Sequence, residues 1–93
     1  AVKLLDPRLA SDPEFIHRLR EDSRAAAALN HPCIVRTIAC GSTGAACYVA
    51  QELVEGESLR TRLRRGPLSA QSALDVVQSV ASALDYARQQ GEL

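Results

Sequence analysis

Residues 1–10 read AVKLLDPRLA, and the third of them decides how the chain is read. Lys3 is the only lysine; the other ten cationic side chains are arginines. It stands in an apolar run that reads as a short strand, with Ala1 and Leu5 on its own side and Val2 and Leu4 on the other. Asp6-Pro7 closes the strand, because proline drives its predecessor away from helix. A compact ammonium on a flexible stem differs in reach and geometry from the planar arginine fork. A chain that otherwise spends its positive charge on arginine therefore has a local reason for lysine here.

The next segment predicts a helix. Ser11 is placed to cap it, Glu14 stands three residues on, Pro13 suits a first turn, and Asn30-His31-Pro32 stops it after Leu29. Phe15, Leu19, Ala26 and Leu29 form an apolar stripe whose missing member is Asp22. A carboxylate on an inward face is costly unless paired, and Lys3 on the neighbouring strand is the notable partner. The expectation is a buried Lys3–Asp22 ion pair that positions the lysine. The alternative keeps Lys3 as a charged guard on a strand edge and lets Asp22 lean into solvent beside Glu21 and Arg18.

Further on, IVRTIAC (34–40) and CYVAQEL (47–53) read as two strands of a hairpin joined by GSTGAA (41–46). VEGES (54–58) is a glycine-containing connection, and LRTRLRR (59–65) is a short helix ended by Gly66-Pro67. The clearest element runs from Ser69 to about Gln90. In it Ala73, Leu74, Val76, Val77, Val80, Ala81, Leu84 and Ala87 recur at helical spacing, and Gly91 closes it. The order strand, helix, strand, strand, short helix, long helix is α+β, with the change of character near Val54 to Ser58.

Composition narrows the function. Ninety-three residues make about one small domain, and eleven basic against eleven acidic residues mark no general binder of nucleic acid or anionic membrane. No stretch has the roughly 18 apolar residues of a membrane span. Cys33, Cys40 and Cys47 are neither a disulfide framework nor a zinc pattern, and read as small buried apolar residues of a reducing cytoplasm. A cross-hairpin approach of Cys40 and Cys47 is a minor alternative. Asp12, His17, His31 and Cys33 lack ligand-like spacing, so no metal site is expected. Arg60, Arg62, Arg64 and Arg65 read as the solvated face of a short helix, and secondarily as a docking surface for acidic segments. The chain opens without methionine, in mid-strand, as a piece of a longer one does.

AVKLL resembles the V-A-x-K strand of eukaryotic-type protein kinases. DPRLASDPEFIHRLREDSRAAAALNHPCIV is similar to the helix-C region and H-P-N-I-V turn of the bacterial Ser/Thr kinases of this type. CYVAQELVEGESL resembles their fifth strand, hinge and G-x-[ST]-L segment, and PLSAQSALDVVQSVASALDYARQQG the long helix before the catalytic loop. The four stretches stand in order and cover nearly the whole chain. The resemblance implies a partial protein-kinase-like fold. Residues 1–54 would supply three antiparallel strands, helix C and hinge of the small lobe, and residues 55–93 the first two helices of the large lobe. It implies ATP as cofactor, with Mg²⁺ ligands outside these residues, and a cytoplasmic protein with no nucleic-acid partner. Lys3 would contact the α- and β-phosphates and Asp22 would hold it, as the catalytic pair. Ala1 would roof the adenine and Leu59 lie beneath it. The Glu52 carbonyl and the Val54 backbone would read the adenine edge, Ser58 would fall near the ribose, and Gln51 would take the gatekeeper position.

Departures from the pattern bear on activity. Asp22 replaces the usual glutamate, Gln51 is polar, and Ala26 and Thr37 are small fillers for the internal spine behind the ion pair. The glycine-rich loop, the catalytic-loop Asp and Asn, and the D-F-G aspartate are not among these residues. The reading is a segment of an ATP-dependent Ser/Thr kinase, not competent alone, with a pseudokinase or scaffold as the alternative. By itself the segment is expected to be marginally stable, without a cooperative melt well above about 50 °C.

Overall fold

The computed structural model describes residues 1–43 and 46–92. In chain order they form β1 (Val2–Leu4), α1 (Pro7–Ala10), α2 (Pro13–Ala27), β2 (Thr37–Thr43), β3 (Ala46–Gln51), α3 (Leu59–Leu63) and α4 (Ala70–Gln89). The strands make one antiparallel sheet in the order β1-β3-β2. The α+β class and the three-stranded sheet are those expected.

Local chemistry shifts several boundaries. Asp6-Pro7 both ends the strand and starts α1: the Asp6 carboxylate accepts from the Arg8 N–H at 2.9 Å, and Pro7 occupies the first turn, where its missing N–H costs nothing. The cap of α2 is Asp12, one residue after the expected Ser11. Asp12 Oδ1 accepts from the N–H groups of Glu14 and Phe15, while the Ser11 hydroxyl donates back to the Arg8 carbonyl. Residues 34–36 stay outside β2, because His31 and Pro32 hold a turn in which the Ile34 N–H donates to the His31 carbonyl at 3.1 Å. Gly41, Ser42 and Thr43 belong to β2, so the hairpin is tighter than expected; the rest of the expected loop, residues 44 and 45, lies outside the described residues. The two C-terminal helices start at serine caps, Ser58 and Ser69, and α4 stops before Gly91, whose φ of 80° is the left-handed conformation glycine tolerates.

Register assigns the faces. Lys3 pairs with Val49, Val49 with Cys40, and Gln51 with Thr37, so these side chains share one face with Ala1 and Cys47. Helix α2 packs on β2, and the two most buried side chains of the sheet, Cys47 (2 % exposed) and Thr37 (6 %), lie on that face. A bulge between Thr37 and Ala39 restores the alternation and leaves Ile38 outside it. On the opposite face the Tyr48 ring lies over Gly41, where an added Cβ would meet Tyr48 Oη at 2.8 Å. Cys40 and Cys47 oppose Val49 and Ser42, not each other, and Cys33 is exposed; of the three thiols only Cys47 is fully buried, which corrects the expectation of three buried cysteines.

The chain buries little for its size. Its 7094 Å² of accessible surface exceeds the about 5200 Å² of a compact monomer of 10.0 kDa. Its radius of gyration, 16.0 Å, exceeds the about 12 Å expected for this length. Val2 and Leu4 stand 65 % and 77 % exposed, and five of the eight residues of the apolar stripe of α4 (Leu74, Val77, Val80, Ala81, Leu84) are open. With so little apolar area removed from water, residue ordering is barely offset. The chain is therefore expected to bind a hydrophobic dye and to unfold broadly, below the about 45–65 °C of ordinary mesophilic domains. A sharp calorimetric transition within or above that range contradicts this.

Candidate functional site

Lys3 is carried on the edge strand β1, which leaves its ammonium exposed above the face that α2 covers. Strand β3 lies between it and β2, the strand on which α2 packs, so about 9–10 Å, two strand spacings, separates β1 from the strand beneath the helix. Among the described residues no Lys3–Asp22 ion pair forms, and both side chains are exposed. This corrects the expected buried pair, and the helix itself gives the reason. Phe15, Leu19, Ala26 and Leu29 are half-buried as the stripe requires, but Ile16 joins them, and the most buried position of α2 is Ser23. Ser23 lies about 100° of helical rotation from Asp22, so a face centred toward Ser23 leaves Asp22 on its flank. The missing member of the stripe is the serine.

The β3 end opposite the hairpin is built with care. Gln51 N–H donates to the Ala1 carbonyl at 2.8 Å, and the Ala1 amine donates to the Gln51 carbonyl at 2.7 Å, which fixes Ala1 beside half-buried Gln51. Glu52 is tied to Arg36 twice: its N–H donates to the Arg36 carbonyl, and its carboxylate accepts from the Arg36 N–H, each at 2.9 Å. Beyond that clamp the pattern stops. Among the described residues no hydrogen bond uses the Glu52 carbonyl or either backbone group of Val54. The Glu52 carbonyl and the Val54 N–H and carbonyl are thus unpaired acceptors and donor just past the strand end that holds Ala1.

Ser58 and Leu59 begin α3. The Ser58 oxygen accepts from the Thr61 N–H at 3.1 Å and its hydroxyl donates to Thr61 Oγ1 at 3.0 Å, so this side chain works as a helix cap. Glu57 takes a two-pronged contact from Arg65, and that guanidinium holds its carboxyl below the ordinary carboxylate range. Two of the arginines of 60–65 are thereby engaged, since Arg62 also donates to the Gly66 carbonyl at 3.2 Å.

One cluster escaped the sequence reading. His31 Nδ1 accepts from the Cys33 N–H at 3.0 Å, which leaves Nε2 facing the Ser82 hydroxyl of α4 at 3.1 Å. The Tyr86 hydroxyl accepts from the Asn30 N–H at 3.0 Å, and the two rings pack at 5.2 Å. This latch ties the turn after α2 to α4. No sequence signal pairs residues fifty or more apart; only the presence of a tyrosine among alanines hinted at a special position. Tyr86→Phe keeps the ring and removes the acceptor, and is expected to speed hydrogen exchange of the Asn30 amide about fivefold, the equivalent of about 1 kcal/mol. An unchanged exchange rate would show that water replaces the bond.

The described residues thus join a sheet bearing one lysine on its helix-covered face to an extended segment and two serine-capped helices. Residues 1–92 match the family model described as protein tyrosine and serine/threonine kinase, and the chain belongs to that family. It is 41 % identical over 97 residues to the serine/threonine-protein kinase PknA of Mycobacterium tuberculosis, and 40 % identical over 96 residues to PknB of Mycobacterium leprae. Each alignment takes in 98 % of this chain but 22 % of PknA and 15 % of PknB. The crystal structure of the Mycobacterium tuberculosis PknI kinase domain superposes with a TM-score of 0.83 at 32 % identity, over 97 % of this chain and 38 % of that one. The fold is the partial protein-kinase-like fold that the motifs implied, and the chain is a fragment of a bacterial Ser/Thr kinase domain. Among the described residues no helix is long and apolar enough to cross a membrane.

Proposed function

We propose that this chain supplies the nucleotide-holding half of an ATP-dependent Ser/Thr protein kinase: the phosphate-anchoring lysine, helix C and the adenine-reading hinge. The observation that carries the reading is the Glu52 carbonyl and the Val54 backbone groups, unpaired among the described residues, just past the strand end that holds Ala1. An adenine edge needs one acceptor and one donor in line, and free groups in an extended segment cost nothing to recruit. Lys3 presents a point charge to phosphate oxygens, and its exposure leaves it available. ATP, when bound, supplies the phosphoryl group for transfer. Ala1 and Leu59 flank the adenine, Gln51 stands at the back, and Ser58 lies toward the ribose while capping α3. Asp22 acts as the positioning acid for Lys3 once helix α2 rotates or shifts toward β1.

Residues 1–54 serve as small lobe and 55–93 as the start of the large lobe. Mg²⁺ and the reacting groups are held by residues outside these ninety-three, so the segment alone transfers no phosphate. Three free thiols suit a cytoplasmic setting. A second reading, a pseudokinase or scaffold that binds without transfer, draws support from the open Lys3–Asp22 gap. The test is amide NMR of the chain titrated with ATP. The expected result is weak, saturable binding, with Kd of about 1 mM, that moves the Val54 amide and the Lys3 side chain together. Shifts scattered over the surface, or none at Val54, would sink the reading.

A further inference from the structure

Helix α3 has little to hold it. It is five residues long, none of them is buried, and Leu59 and Leu63 stand 45 % and 47 % exposed. No strand or other helix makes an extended contact with it among the described residues. An isolated helix of fewer than about 12–15 residues is marginal in water, so packing does not explain why α3 is wound. The link before it is looser still. Among the described residues no backbone hydrogen bond involves Leu53, Val54, Glu55, Gly56 or Glu57.

Side chains do the holding instead. Ser58 caps the first turn, and Arg62 donates to the Gly66 carbonyl beyond the last. The contact of Arg65 with Glu57 does more, because it runs the length of the helix. Glu57 stands just before the Ser58 cap and Arg65 just after the Arg64 cap, and the two side chains meet alongside α3. Arg65 Nη1 donates to Glu57 Oε2 at 2.6 Å and Nη2 to Oε1 at 2.5 Å. Exposed ion pairs contribute little as a rule, and this two-pronged geometry is the exception. Of the four arginines in 60–65, Arg65 alone is in an ion pair among the described residues. The lowered Glu57 carboxyl keeps the pair charged at neutral pH.

We propose that the Arg65–Glu57 contact is a clasp that keeps α3 wound and so sets Ser58 and Leu59 for the nucleotide. Arg65 is then a positioning residue for ribose and adenine although it touches neither. The inference rests on the hinge reading given above. With the clasp open, the first turn of α3 frays into the unbonded link, and Leu59 and Ser58 leave their places beneath the adenine and beside the ribose. Lys3 is carried by the sheet and keeps its place.

The test is the ATP titration by amide NMR, run at about 10 °C, below the broad transition expected above. It compares the original chain, Arg65→Gln, and the exchanged pair Glu57→Arg, Arg65→Glu. Backbone order parameters of α3 are read without ATP. Arg65→Gln is expected to lower them from about 0.85 toward 0.6 and to raise the Kd for ATP about three- to fivefold. The Lys3 side-chain shift at saturation and the order parameters of β2 and β3 are expected to stay as they were, which a general loss of fold would not allow. The exchanged pair rebuilds the contact and is expected to recover most of both losses. Arg65→Gln that loosens α3 and leaves the Kd unchanged makes the clasp structural only and overturns the inference. An exchanged pair no better than Arg65→Gln overturns it too, since the loss then belongs to the side chains and not to their contact. If the original chain itself shows no ATP-dependent shift at Val54, the hinge reading fails and this inference with it; a normal Val54 response with an unaltered Kd in Arg65→Gln fails the inference alone.

Discussion

Replacing Lys3 by methionine is expected to lower phosphoryl transfer about 100- to 1000-fold in a chimaera in which this chain stands in for the matching stretch of PknA. Methionine keeps the length and apolar stem of the side chain and deletes the ammonium. Among the described residues β1 is at the edge of the sheet and Lys3 is exposed, so the substitution breaks no packing contact or ion pair within this chain. The loss is therefore electrostatic. Lys3→Arg is expected to recover little, since the fork places its charge differently and asks for two planar acceptors. Loss of rate with an unchanged KM for the peptide substrate would assign the effect to the phosphates. A chimaera whose rate survives Lys3→Met removes Lys3 from the phosphate site.

The second large effect runs in the opposite direction. Asp22→Glu in the same chimaera is expected to raise the rate about tenfold. The carboxylate lies on the flank of α2, which packs on β2. The gain therefore presupposes the shift of α2 toward β1 proposed above, after which the last ångström of reach decides the contact. One methylene adds about 1–1.5 Å of reach, and a misplacement on that scale at a catalytic group is worth up to about 100-fold. Asp22 is exposed, so the longer side chain meets no steric cost. Asp22→Asn is expected to lower the rate, because it keeps the shape and removes the charge. If Asp22→Glu and Asp22→Asn behave alike, the acid plays no part in positioning Lys3, and the scaffold reading gains.

The fold was legible where one local signal admitted one structure. Gly66-Pro67, Ser69 and Gly91 bracket α4 almost to the residue, and a hairpin was the simplest pairing for the β-rich runs on either side of GSTGAA, the one the structure forms. Legibility failed where two local signals competed. Asp6-Pro7 is a strand stop and a helix start at once, and the sequence reading used only the first meaning. Ser11 and Asp12 are both good caps, and the one whose oxygen reached two N–H groups won.

The site divided in the same way. Lys3 stood out because it is unique in composition, whereas Glu52 and Val54 came only from the resemblance of CYVAQELVEGESL to a kinase hinge segment. Asp22 was harder. A helical stripe drawn from four apolar residues could not see that Ile16 and a small polar residue, Ser23, would turn its centre, because serine carries no hydropathy signal of burial. The latch of His31, Ser82 and Tyr86 was out of reach, since it depends on how a turn meets a distant helix.

The central claim is that the lone lysine sits against the phosphates of a nucleotide held at the hinge. An acyl-phosphate derivative of ATP tests it directly: a lysine beside the phosphates attacks the acyl carbon, keeps the acyl group as an amide and releases ATP. The chain contains one lysine, so mass spectrometry of the labelled protein reads the site without ambiguity. The account predicts acylation of Lys3 that free ATP suppresses and inorganic phosphate does not. Labelling of Lys3 no faster than that of the terminal amine, and indifferent to ATP, would contradict it.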